Sequence, residues 1–166
     1  RASRGEQLKS LRLVVSGAEK CPAHIYDTLA TMCPGTTVLE GYGITECSPV
    51  VSVNHENDPR RGTIGRIMPS LECAIVNPES NQRLAPGLEG LLLVRGSSVF
   101  SGYLNHESLS PFVEFEGQRW YRTGDLVSED DGILTFRGRL QRFIKLGGEM
   151  VSLPAIESVL EQHFAD

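Results

Sequence analysis

The sequence predicts an α/β segment followed by small antiparallel sheets of distorted-barrel type and then the start of an α+β subdomain. Three observations carry that reading. A strand–helix–strand pattern opens the chain, turn-punctuated apolar runs fill its middle, and a glycine hairpin leading into an amphipathic helix ends it.

Leu11-Arg12-Leu13-Val14-Val15 is a short run of the kind that forms a strand buried on both faces. It stops at Ser16-Gly17-Ala18-Glu19. Pro22 suits a first helical turn, and Ile25, Leu29 and Met32 then share one helical face. Pro34-Gly35 ends the helix, and Thr37-Val38-Leu39 resumes as strand. Two parallel strands with a right-handed crossover follow from this order.

Gly41-Tyr42-Gly43-Ile44-Thr45-Glu46 is expected as a turn just past the second strand. Its glycines can take positive φ or come close to a flat ligand. In open α/β sheets, ligands sit beyond the carboxyl ends of the strands. Gly17-Ala18-Glu19 and Gly41 to Glu46 both occupy such ends, forming a slot with Tyr42 as its stacking surface. The Thr45 hydroxyl and the Glu46 carboxylate suit phosphate and a hard cation. A nucleotide fits this layout. For the hexapeptide alone, an incidental acid in a glycine-rich turn is an equal alternative.

From Pro59 onward, Gly62, Gly65, Pro69, Pro78, Pro86, Gly87 and Gly90 punctuate short strands, Cys73 to Val76 and Leu91 to Val94 among them. Gly102-Tyr103-Leu104 continues the series. Arg119 to Thr123 alternates as a strand and is expected to break at Gly124-Asp125-Leu126. An aspartate just past a strand can accept two hydrogen bonds from a diol, though an Asp opening a turn is the commoner case. Glu129-Asp130-Asp131-Gly132 reads as a hairpin turn. Arg137 and Arg139, on one strand face by the two-residue period, begin a basic patch with Arg142 and Lys145. Such a patch is either a solvated face or a site for phosphate, ribose or an acidic partner. Phe143 to Leu146 and Met150-Val151 flank a glycine turn. Pro154 opens a last helix whose stripe of Ile156, Val159, Leu160 and Phe164 needs more chain or a partner to cover it.

The whole-chain properties exclude several classes. The 166 residues, 40% of them hydrophobic, suit one domain or pieces of two. A net charge of -5 argues against nucleic acid as the main partner. No apolar run approaches the roughly 20 residues of a membrane-spanning helix. Cys21, Cys33, Cys47 and Cys73 lack C-x-x-C spacing and read as reduced, mostly packing cysteines. The four histidines form no visible metal cluster. The polar lead-in to Ser10 and the stop at Asp166 directly after a helix suggest a piece of a larger protein. A kinase is disfavoured because G-x-x-x-x-G-K-[ST] is absent.

Taken in order, five stretches resemble the adenylate-forming superfamily of acyl-CoA synthetases, peptide-synthetase adenylation domains and beetle luciferases. They are Ser16 to Glu19, Gly41 to Glu46, Gly90 to Tyr103, Tyr121 to Leu126, and Gly138 to Lys145. The resemblance implies a partial adenylate-forming fold. In it, 1–60 would end the α/β part of the large domain, 61–140 would be the distorted barrel, and 141–166 the hinge and start of the small domain. It implies ATP and Mg²⁺, a carboxylic acid activated as its acyl-adenylate, and transfer to a thiol. Gly17, Ala18 and Glu19 would line the adenine pocket with Tyr42 against the base, and Gly41 and Gly43 would be further nucleotide-binding residues. Thr45 would contact phosphate, Glu46 would hold the metal, Asp125 and Arg139 would bind ribose, and Lys145 would serve the second half-reaction. Gln141 stands at the hinge, where the family usually has Asp or Lys. The family's phosphate loop and late catalytic lysine have no counterpart in the sequence.

Within the superfamily, Gly43 to Pro49 and Gly148 to Leu153 look closest to the acyl-acyl-carrier-protein synthetase half of bacterial 2-acylglycerophosphoethanolamine acyltransferase. That likeness implies a fatty acid, an acyl carrier protein docking on Arg137, Arg142 and Lys145, and phospholipid salvage. It also implies a cytoplasmic location, with the parent at the cytoplasmic face of the inner membrane. An acyl-CoA synthetase using coenzyme A, or a non-catalytic interaction module of the same shape, are the alternatives.

Overall fold

The computed structural model describes residues 8–104, 110–146 and 149–153, together with Ile156, Val159, Leu160 and His163. β1 (Leu13–Ser16), α1 (Ala23–Met32) and β2 (Thr37–Gly43) form the expected strand–helix–strand unit, with β1 parallel to β2. Pro22 caps the helix, and Ile25, Leu29 and Met32 are half-buried as their spacing predicts. Burial of β1 on both faces is not what the structure shows. Val15 is 65% exposed, because β1 is the edge strand of the sheet β1-β2-β3-β4 and no described element covers its outer face.

The largest correction concerns the hexapeptide. Gly41, Tyr42 and Gly43 are not a turn but the last three residues of β2, paired antiparallel with β3 (Val50–Val53). A Cβ on Gly41 would lie 3.1 Å from the Ser52 carbonyl oxygen, and one on Gly43 would lie 2.5 Å from that of Pro49. The glycines therefore admit close approach of the neighbouring strand. The turn comes later, as a single 3₁₀ turn over Thr45–Cys47, closed by the Ile44 amide donating to Pro49 O at 2.8 Å. β4 (Arg66–Ile67) completes this sheet.

β5 (Leu71–Val76), β6 (Gly90–Gly96), β7 (Phe112–Phe115), β8 (Gln118–Asp130) and β9 (Ile133–Arg139) form a five-stranded antiparallel sheet, a half-barrel. β6 runs through its middle with both faces covered. Leu92 and Val94 pack with Val51, Tyr121, Val127 and Leu134, while Leu91 and Leu93 pack with Val76, Phe115, Trp120 and Leu126. The first cluster contains residues of both sheets, and the Gly65–Leu134 bridge joins them through the backbone.

β8 does not break at Gly124. It continues for 13 residues, changing neighbours on one edge from β7 to β9 as it passes that point. The change is made by an irregularity opposite Leu91–Leu93, where Gly124 takes φ +77°. The hairpin at Asp131-Gly132 holds, with both residues at positive φ as a two-residue turn requires. A further irregularity leaves Arg137 unpaired opposite Leu126 and Val127. The two-residue period that placed Arg137 and Arg139 on one face is therefore interrupted there.

Gly102-Tyr103-Leu104 is not a strand. β10 (Phe143–Leu146) and β11 (Glu149–Ser152) form the second hairpin, joined across Gly147 and Gly148, which lie outside the described residues. Leu153, Ile156, Val159, Leu160 and His163 are helical; Ile156, Val159 and Leu160 are exposed. Pro154 and Phe164 lie outside the described residues. Among these residues no helix is long and apolar enough to cross a membrane.

Candidate functional site

The register of the parallel pair sets the first wall of the site. Ser16 pairs with Glu40, so Gly17 and Gly41 lie side by side where β1 ends, and a Cβ on Gly17 would be 3.4 Å from Gly41 O. Gly17, Ala18 and Glu19 are exposed there. Ala18 is left-handed at φ 70°, a conformation that costs a residue with a side chain of order 1–3 kcal/mol. Glu40, the neighbouring acid, has a different task. It accepts hydrogen bonds from the Tyr26 hydroxyl, the Gly62 amide (2.7 Å) and the Cys21 amide (3.3 Å), on the wall of a cavity of about 240 Å³ that Lys20 and Arg61 also line. Glu40 is structural.

Tyr42 reaches from the end of β2 to the middle of β8. Its hydroxyl donates to Asp125 Oδ2, joining residues 83 apart in sequence, and its ring lies 6.0 Å from that of Phe136. Burial first, and the Asp125 charge second, push the Tyr42 phenol far above its ordinary value, so it remains a donor. Asp125 is 1% exposed, and Arg139 Nε donates to its Oδ1 at 2.8 Å. The hydrogen bond to Asp125 raises the Arg139 pKa further and keeps the guanidinium charged. That guanidinium is on the outside, its side chain 59% exposed.

Asp125 owes its position to the β8 irregularity. The Thr123 hydroxyl donates to Leu92 O at 2.9 Å and accepts from the Asp125 amide at 3.0 Å, pinning both sides of the bend. Sequence reasoning gave Thr123 no role, and nothing local shows that its partner would be β6.

The 3₁₀ turn carrying Thr45 and Glu46 is anchored on residues 98–103. The Phe100 amide donates to Glu46 O at 2.8 Å, and the Ser48 hydroxyl donates to Ser98 O at 3.0 Å. Thr45 is exposed. The Tyr103 hydroxyl donates to Glu46 Oε1 at 2.6 Å, a partnership 57 residues apart that the sequence does not reveal. Cys47, next in the turn, is buried and its thiol is pushed up to about 11, chiefly by that burial. With all four cysteines free and three buried, their packing role stands.

The donor set suits a nucleotide with a hard cation. An ionised carboxylate offers about four lone-pair sites, and Tyr42 and Arg139 take two at Asp125. Glu46 keeps Oε2 without a hydrogen-bond donor among the described residues. Those residues hold no cluster of three or more metal-ligating side chains. A single carboxylate is how Mg²⁺ is commonly held, with phosphates and water completing the shell.

The remaining residues of the expected site lie further along. Gln141 is exposed in a 3₁₀ turn, Leu140–Arg142, between β9 and β10. Lys145 is on β10 opposite Met150, and its side chain, like that of Arg142, lies outside the described residues. Arg137 Nε donates to Ser128 Oγ at 3.0 Å.

Comparison with known proteins agrees with this geometry. Residues 1–104 match the family model described as AMP-binding enzyme. A long-chain-fatty-acid–CoA ligase of Salmonella typhimurium is 40% identical over 131 residues, covering 78% of this chain and 23% of the relative. A probable CoA ligase of Humulus lupulus is 35% identical over 160 residues, covering 94% of this chain and 29% of the relative. Among solved structures, the O-succinylbenzoate coenzyme A synthetase of Bacillus subtilis, in complex with ATP and magnesium ion, superposes with a TM-score of 0.77 at 27% identity. That match covers 93% of this chain and 32% of the solved one. The chain thus spans less than a third of the length of these relatives. The ATP and Mg²⁺ expected from the sequence are the ligands of that solved relative. The chain belongs to the AMP-binding, adenylate-forming enzyme family.

Proposed function

We propose that this chain is the adenosine- and metal-gripping part of an ATP-dependent ligase that activates a fatty acid and passes its acyl group to the thiol of coenzyme A. The single observation that carries the reading is the Tyr42–Asp125 hydrogen bond, which brings two distant motifs to one place. In this reading residues 1–60 end the large domain's α/β part, 61–140 form its half-barrel, and 141–166 begin the small domain, with Gln141 at the joint.

The roles follow from chemistry. The backbone at Gly17, Ala18, Glu19 and Gly41 to Gly43 receives the adenine, and the Tyr42 ring flanks it. Asp125 accepts from the ribose hydroxyls while Arg139 holds its other edge. Thr45 donates to phosphate and Glu46 holds Mg²⁺. Held by Glu46, Mg²⁺ would supply positive charge to offset that on the phosphate oxygens. The protein's part is positioning. Groups held before reaction need no reorganisation during it, and an adenosine fixed at base and sugar presents its α-phosphate to the carboxylate at one distance. Lys145 serves the transfer to the thiol.

The named relatives support coenzyme A as acceptor, since they are CoA ligases. A carrier protein is the second reading, motivated by the likeness of Gly43 to Pro49 and Gly148 to Leu153 to acyl-carrier-protein synthetases and by the basic residues at Arg137, Arg142 and Lys145. Under that reading the parent works at the cytoplasmic face of a membrane in phospholipid salvage. The deciding experiment incubates the full-length protein with ATP, Mg²⁺ and a fatty acid. Fatty-acid-dependent ATP–pyrophosphate exchange is expected, followed by thioester formation with coenzyme A. Acylation of carrier protein alone would transfer the proposal to the second reading. Adenylate binding without exchange would leave a non-catalytic module.

A further inference from the structure

Tyr103 holds the one carboxylate assigned to the metal, and a second tyrosine stands behind it. The Tyr103 hydroxyl donates to Glu46 Oε1 at 2.6 Å. Tyr121, only 5% exposed on β8, belongs to the same group of rings, and its phenol is pushed far up, first by burial and then by the Glu46 charge. A hydrogen bond to an ionised acceptor is about twice as strong as a neutral one.

The rings are fixed independently of their hydroxyls. Phe100 lies 4.9 Å from Tyr103, 5.7 Å from Phe112 and 5.5 Å from Tyr121, with the Tyr103 and Tyr121 contacts edge-to-face. Arg119 stacks on Phe112 at 3.6 Å and donates to Ser101 O at 3.0 Å, tying the 100–103 stretch to β8. The Phe100 amide also fixes the Glu46 main chain. A side chain 46% exposed, as Tyr103 is, has no packing need for a hydroxyl aimed at a carboxylate.

We propose that Tyr103 is a positioning residue for the metal. By occupying Oε1 and locking the Glu46 rotamer, it leaves Oε2 as the single oxygen presented to Mg²⁺. This rests on the assignment of Glu46 above. It makes metal affinity depend on the half-barrel as well as on the 3₁₀ turn.

The test uses Tyr103→Phe, which keeps the ring and removes one oxygen, in the full-length protein. Mn²⁺ binding in the presence of ATP, followed by electron paramagnetic resonance, reads the metal site without turnover. Loss of a hydrogen bond to a charged group predicts a rise of about tenfold in the Mn²⁺ dissociation constant. ATP affinity without metal and the thermal midpoint should be unchanged. Unchanged or tighter Mn²⁺ binding in Tyr103→Phe, while Glu46→Gln weakens it, would overturn the positioning role alone. Unchanged binding in Glu46→Gln would overturn the metal assignment and this inference with it.

Discussion

Asp125→Ala in the full-length protein should weaken binding of a non-hydrolysable acyl-adenylate analogue by about 10²- to 10⁴-fold, the equivalent of two hydrogen bonds to a charged acceptor at roughly 1.5–3 kcal/mol each. The loss belongs to the sugar, so an analogue lacking both ribose hydroxyls should bind wild type and variant alike. Calorimetric titration of both ligands against both proteins checks this. The substitution also leaves the Tyr42 hydroxyl without its acceptor, while Arg139 remains in solvent. A modest fall in stability is therefore expected beside the large fall in affinity. Equal affinity of wild type and variant for the intact analogue would remove Asp125 from the ribose site.

Gly65→Ala should be the most damaging small substitution in the described fold. Gly65 takes φ +76°, and a Cβ there would sit 2.0 Å from Val53 C and 2.2 Å from Asn54 N, backbone atoms that cannot step aside. Its carbonyl accepts from the Leu134 amide at 2.8 Å, so the position cannot shift without parting the two sheets. Backbone strain and overlap together predict a cost above about 4 kcal/mol. Gly117→Ala is the control. At φ +70° with nothing within 4 Å, it carries strain alone and should cost about 1 kcal/mol. Denaturant midpoints of the two variants separate the contributions. Equal midpoints would mean that the seam at Gly65 can open.

Much of this architecture is legible in the sequence because its signals are local. The Ile25, Leu29, Met32 stripe, the Asp131-Gly132 turn and the apolar runs of β5 and β6 all report on neighbours a few residues away. Failures cluster where pairing with a distant strand overrides local preference. Gly41 to Gly43 reads as a turn, yet β3 keeps it in the sheet. Gly124 reads as a strand end, yet β6 and β9 carry β8 past it. Both misreadings fall at the candidate site, where glycine serves close approach and a bend instead of ending an element. The proposed site residues are picked out by their chemistry and order, and of them Tyr42, Asp125 and Arg139 meet in the structure. Their supports, Thr123 behind Asp125 and Tyr103 beside Glu46, stay hidden because each is defined by a contact across the fold.

In the proposed site Tyr42 and Asp125 act as one unit on one ligand. A double-mutant cycle with Tyr42→Phe and Asp125→Asn, read by acyl-adenylate analogue affinity in the full-length protein, measures that directly. Direct contact predicts a coupling of about 1 kcal/mol or more, whereas effects that add to within about 0.5 kcal/mol would mean two independent residues and contradict the shared site.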